Sequence, residues 1–379
     1  MTSESSGLLS HLQPLLSMPR ETLPQLTVEQ ARKSLSAAGE ALGLEFIEIA
    51  GVAPTFLLLP ARSAPEVLVF GTWHAESMPV EPAAVEGAER LALAVALAGA
   101  ERAREAGVGF VVSPGASQGS LVLAKALRDH RARLRAPVAL WPRIAARAPR
   151  RRRVYLGARG RVVLGLWGGS ANPYRLRDRL VEALRQETYG PRPLDFELLH
   201  KLARSPEAID FLEETGDAPA NPEIEAEARL TQALFDPRGQ VVTPQAKHPD
   251  RPQAWLIFEV AENADPDQLL SLAREHGEGT RIEMAEGFPW DRISIHHPSV
   301  QAQIKLSKEV SEGPEIWPSA PWMSPSGVFS RALGTPLAEW SIPKHPGVAV
   351  RFPGVEDFQA LAGEAEGLIR GSLRETASP

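Results

Sequence analysis

Three short apolar runs constrain the fold more than any other feature: VLVF at 67–70, VGFVV at 108–112 and PVALW at 137–141. Helical spacing separates them. The first intervening stretch, RLALAVALAGAERAREAG (90–107), is alanine-rich and ends on Gly107, a helix stop. The second is LVLAKALRDHRARLR (121–135). Strands alternating with helices of this length form βαβ units and a mostly parallel sheet. Upstream, VEQARKSLSAAGEAL (28–42) reads as a helix that leads through Gly43 into short strands at FIEIA and TFLLLPA.

The pattern changes after Arg150. VYLGARGRVVLGLW (154–167) reads as two strands about a tight Gly turn, and NPYRLRDRLVEAL as a helix with Pro173 in its first turn. A polar, mostly helical stretch covers about 193–235. A strand (AWLIFEVA), a helix (DPDQLLSLAREHG) and a strand (TRIEMAE) follow, as in an α+β layer. Helix 298–312, strands near LAEWSIP and VAVRF, and an amphipathic helix at 355–372 then return to the first sheet. The expected organisation is a discontinuous α/β domain, 1–152 and 288–379, with an inserted α+β domain at 153–287.

With 379 residues, 43% of them hydrophobic and 23% charged, the chain has enough material for a large core. The net charge of −6 argues against general nucleic-acid binding. With no cysteine, thiol catalysis and thiolate metal sites are excluded. No apolar run approaches the roughly 18–20 residues of a membrane span, so a cytoplasmic protein is expected.

The first run continues as EVLVFGTWHAESMP (66–79). Read as a strand broken at Gly71, it places Thr72, Trp73, His74 and Glu76 just beyond the strand end. Open α/β sheets bind ligands in the crevice at the carboxyl ends of their strands.

Five segments in order resemble one family, the dinuclear zinc peptidases of the carnosinase, aminoacylase and desuccinylase group (metallopeptidase family twenty, clan MH). VLVFGTWHAESMP is similar to a strand followed by Gly-His-x-Asp-x-x-Pro, and SPGASQGS to a Glu-Glu-x-Gly-Ser turn. LGARGRVVLGL resembles the entry to the inserted lid domain, WGGSANPYRL its Gly-Gly-x-x-x-Asn-Pro helix start, and AWLIFEVAENADP a lid strand. The resemblance covers nearly the whole chain. It implies a zinc-peptidase-like sheet domain with helices on both faces and an α+β lid/dimerisation domain.

In that family two zinc ions are held by His and carboxylate ligands, and a Glu beside them takes a proton from the bridging water. Here the resemblance puts Thr72 at the first ligand His and His74 at the Asp that orients it. Only Glu86 or Glu89 could replace the bridging Asp. Ala116 and Ser117 stand for the paired Glu, and Arg143 falls near the later Asp ligand. His345 is the candidate for the last His. The lid's His, which in the family reaches across a dimer to the substrate, lies in a segment deleted between Leu166 and Trp167. The expectation is a peptidase-like protein without its metals, zinc remaining only if His74, Glu86 and His345 still converge on an ion; with such a non-standard metal site the chain would instead be a hydrolase of peptides or N-acylated amino acids. Its role would be binding or regulation, with a small peptide or amino-acid-derived ligand held by Thr72, His74, Arg143 and Ser117. The resemblance also implies a homodimer, or a heterodimer with an active relative, through VVLGLW and NPYRLRDRL.

A second enzyme reading stays open. GASQG (115–119) matches Gly-x-Ser-x-Gly between a predicted strand and a predicted helix, the context of a nucleophile elbow. Ser117 would be the nucleophile and a later His, such as His345, the base. The basic run RAPRRRR (147–153) reads as a solvated hinge, and Trp73 and Trp141 as residues filling the volume that metals left.

Overall fold

The computed structural model describes residues 8, 10–12, 28–51, 54–74, 83–114, 120–144, 152–187, 191–215, 219–244, 251–260, 264–310, 313–342 and 355–377. The chain divides into two compact units. One is Met1–Val154 with Ile293–Glu315 and Phe329–Pro379, and the other is Tyr155–Arg292 with Ile316–Val328.

In chain order the first unit begins with α1 (Val28–Leu42), β1 (Glu45–Ile49), β2 (Thr55–Leu59), β3 (Val67–His74), α2 (Ala83–Arg102) and β4 (Val108–Pro114). It continues through α3 (Ser120–Asp129), α4 (Arg131–Leu134) and β5 (Val138–Ile144) to β6 (Arg153–Tyr155), where the chain passes into the second unit. There lie β7 (Gly157–Trp167), α5 (Pro173–Glu187), α6 (Pro193–Leu202), α7 (Pro206–Thr215), α8 (Pro222–Phe235) and β8 (Arg238–Val242). They are followed by β9 (Ala254–Val260), α9 (Pro266–His276), β10 (Arg281–Phe288) and β11 (Asp291–Arg292). After α10 (Pro298–Val310) and β12 (Glu315–Trp317), β13 (Ala320–Met323) revisits the second unit. Then α11 (Ser326–Leu333), β14 (Leu337–Ile342) and α12 (Val355–Ala377) end the described chain.

In the first unit six described strands form a sheet in the order β1-β2-β4-β3-β5-β14. From β4 to β14 the pairing is parallel, and β1 and β2 join it antiparallel. Every residue of β2 and β4 is buried, as expected of strands covered on both faces, whose sequences read as unbroken apolar runs. Helix α2 is buried from Ala92 to Ala98 and so needs no polar face. Its Gly99 lies against α12, where an added Cβ would come within 2.4 Å of the Ala365 Cβ.

Gly71 does not end β3. The strand continues to His74, in register with β4 through Thr72↔Ser113. Glycine is needed for packing at that point, because a Cβ would lie 2.6 Å from Leu93 Cδ1 of α2. The helix expected at 121–135 is interrupted at His130 and splits into α3 and α4. The strand expected at VAVRF (348–352) lies outside the described residues.

The second unit departs further from expectation. VYLGARGRVVLGLW is not a hairpin, for 157–167 is one long strand. Gly160 serves a close backbone approach instead of a turn: its Cβ would meet Phe288 O, Pro289 C and Trp290 N at 2.5 Å. β7 is an interior strand of an antiparallel sheet ordered β10-β7-β9-β8, so VVLGLW cannot offer a sheet edge. β13 pairs parallel with β7, which draws 316–328 into this unit rather than into 288–379. Helices α5 and α9 cover one face, packing Leu176, Leu180, Leu184 and Leu269 on Val162, Leu164, Leu256 and Phe258. Asn172 caps α5, its Oδ1 accepting from Tyr174 N at 3.0 Å and Arg175 N at 3.2 Å.

Helices α6, α7 and α8 gather a separate core with Tyr155 and Trp317. The wholly buried Arg159 of β7 ties α8 to the sheet, donating from Nη1 to Ala233 O at 2.8 Å and from Nη2 to Asp236 O. Its Nε lies 3.5 Å from Glu259. Burial pushes this guanidinium down to about 10, against the pull of Glu259.

Candidate functional site

Strands β4 and β5 lie on opposite sides of β3, so the chain order reverses between β3 and β5. That switch point is where an open sheet forms its binding crevice. The β3–β5 ladder ends at Val69↔Leu140, although both strands run on, to His74 and Ile144. Beyond that point each strand keeps its other neighbour: Thr72 is paired with Ser113 on β4, and Arg143 with Ser341 on β14.

A buried row of hydroxyls follows from these registers. Thr55 extends β2 opposite Ser113, with Thr55 Oγ1 and Ser113 Oγ 3.4 Å apart. Thr72 stands beside Ser113 and is only 1% exposed, so its hydroxyl is closed from solvent. Arg143 reaches solvent, its side chain 22% exposed. It lies over the ring of Trp141, 4.7 Å from the centroid, and its Nη1 is 3.5 Å from Oε1 of Glu339. Trp141 is buried, edge-on to Phe70, which in turn packs edge-on to Phe329 of α11. Trp73 is also buried, donating from Nε1 to Pro54 O at 3.0 Å beside Phe56.

Glu339 was not singled out in the sequence. A signal for it existed: in LAEWSI the acid is set among apolar residues, and a buried acid requires a nearby cation. His74 ends β3, but its side chain lies outside the described atoms, as does that of Glu86 in α2. Ser117 and His345 fall outside the described residues. The flanks of GASQG are described, a strand ending at Pro114 and a helix beginning at Ser120. Of RAPRRRR, Arg152 and Arg153 are not solvated: they are largely buried and paired with Glu364 at 2.6 Å and Glu315 at 3.8 Å.

The described side chains do not fit a dinuclear zinc centre. Such a centre needs imidazole, thiolate or carboxylate ligands on each ion. A threonine hydroxyl and a guanidinium are neither, and the guanidinium repels a cation. Among the described residues no group of three or more His, Cys, Asp or Glu could hold a metal. Nor is any described helix long and apolar enough to cross a membrane.

No family model and no curated protein matches the sequence. Solved structures do match. A metallo-carboxypeptidase of Sulfolobus solfataricus superposes with a TM-score of 0.65 at 16% identity, over 91% of this chain and 96% of that one. A di-peptidase of Saccharomyces cerevisiae gives 0.66 at 15%, over 99% and 96%. Human carnosine dipeptidase 1 gives 0.61 at 9%, over 99% and 97%. The fold of this chain, a mixed α/β sheet domain interrupted by a second unit, is that of the metallopeptidases of family twenty.

Proposed function

We propose that this chain is a peptidase-like binding protein in which recognition of a small carboxylate-bearing molecule, a peptide or amino-acid derivative, has replaced metal chemistry. The observation that carries this reading is Arg143. A fixed positive charge stands at the carboxyl end of β5, at the switch point of the sheet, and part of it faces solvent. A guanidinium there attracts a carboxylate and opposes a divalent cation. Purified protein is incubated with excess zinc, desalted and weighed for metal by elemental mass spectrometry. About two zinc per chain, with dipeptide hydrolysis that a chelator abolishes, would refute the reading and return His74, Glu86 and His345 to the role of ligands.

A serine hydrolase is the second reading, favoured by the strand and helix that flank GASQG. It requires that a fluorophosphonate probe label Ser117 and that chelators have no effect. The chain also acts, in our reading, as a homodimer or as the partner of an active relative. With β7 interior, the pairing surface passes to edge strand β8 and to the α5 face beside it, where Gly239 lies against Val181 and Arg177.

A further inference from the structure

We propose that Glu339 is a specificity-determining residue of the Arg143 site: an internal carboxylate that an incoming ligand must displace or share, which restricts the ligand to a monocarboxylate. The inference rests on the reading of Arg143 as a carboxylate receptor. Glu339 is fixed by its strand. β14 pairs with β5 over six consecutive positions, from Leu337↔Ala139 to Ile342↔Ile144. In that register Glu339 is opposite Trp141, two residues short of Arg143, and so it reaches the guanidinium diagonally. The geometry that results is an Nη1–Oε1 separation of 3.5 Å, well beyond the roughly 2.7–2.9 Å of a good charge-assisted bond.

A free carboxylate has no such tether and can take the two-pronged geometry that a guanidinium prefers. An uncharged amide offers too little to compete with Glu339. A second negative charge on the ligand would lie near the Glu339 carboxylate, which is 4% exposed and poorly screened. Dicarboxylates are therefore disfavoured. Trp141, buried under the guanidinium, holds it in place while the partner changes.

The test is an NMR titration of the full chain with propionate, succinate and propionamide, following the Arg143 Nε–H and the Trp141 indole N–H. In the wild type, propionate binds, succinate binds more weakly and propionamide does not bind. Glu339→Gln, which keeps shape and hydrogen bonding but removes the charge, tightens propionate about tenfold and abolishes the penalty on succinate, a change of about 1.4 kcal/mol. Glu339→Asp, a second variant in case the first does not fold, draws the carboxylate back and also tightens propionate. If propionate binds the wild type but Glu339→Gln and Glu339→Asp leave its affinity unchanged or weaker, Glu339 is no competitor, and only this inference fails. If no carboxylate binds the wild type or either folded variant, the Arg143 reading fails and takes the inference with it.

Discussion

The two partners of the Arg143–Glu339 pair should be unequally costly to remove, and the inequality follows from their burial. Glu339 is 4% exposed and Arg143 22% exposed. Arg143→Met leaves a carboxylate buried without that guanidinium, and losing one partner of a buried pair costs about 3–5 kcal/mol. The low end applies here, since Arg143 keeps contact with water and its separation from Glu339 is long; we expect about 3 kcal/mol, including a contribution of about 1 kcal/mol from the ring of Trp141. Glu339→Gln leaves the charge on the group that reaches solvent, and should cost only about 1 kcal/mol. The double variant should then cost about 2 kcal/mol, giving a coupling of roughly 2 kcal/mol. Urea denaturation followed by circular dichroism at pH 7 measures all four proteins. Equal losses from the two single variants, or losses that add within about 0.5 kcal/mol, would refute the argument.

Other consequences are open to simpler tests. Gly160→Ala places a methyl group against the backbone of 288–290, which cannot move aside as a side chain can; a loss of about 3 kcal/mol or more is expected in a thermal melt. Asn172→Ala removes the acceptor for two amides of α5 and should cost about 1 kcal/mol by the same melt. His297, whose Nδ1 lies 2.7 Å from Ser299 Oγ, is held below its usual range by burial. The folded state therefore binds fewer protons than the unfolded one, and its stability falls as pH drops below about 6.5. His297→Gln should flatten the denaturation midpoint between pH 7 and pH 5, and an unchanged slope would remove His297 as its cause.

Much of the first unit was legible because its signals are local. β2, β4 and β5 are apolar runs closed by turn residues, and α2 is too long and too apolar to be anything but a buried helix. Glycine misled wherever its role was tertiary. Gly71 reads as a strand end and Gly157–Gly160 as a turn, yet Gly71 and Gly160 accept Leu93 and the 288–290 backbone, neighbours that only the fold supplies. β8 was missed because RGQVV is short and half exposed at a sheet edge. At the site, Thr72 and Arg143 were found by resemblance, but their roles depend on register. Sequence alone does not close Thr72 from water or place Glu339 beside the guanidinium.

Among the described residues, the polar side chains at the carboxyl end of this sheet lie against one another. Hydroxyls both donate and accept, so the row of Thr55, Ser113 and Thr72 can share hydrogen bonds in a buried place where a set of carboxylates would repel one another. At β5 and β14 one positive and one negative side chain lie side by side, Arg143 Nη1 3.5 Å from Glu339 Oε1. Among the described residues, a divalent cation entering here would meet the guanidinium of Arg143 and a carboxylate, Glu339, already engaged with it. An anion meets a different situation. Arg143 is the member of the pair that reaches solvent, while Glu339 is enclosed and held diagonally by its strand, so the positive partner is the one presented outward. On the reading proposed above, the arrangement opposes metal and admits a single negative charge, and for that reason removing the charge of Glu339 should strengthen binding while it weakens the fold.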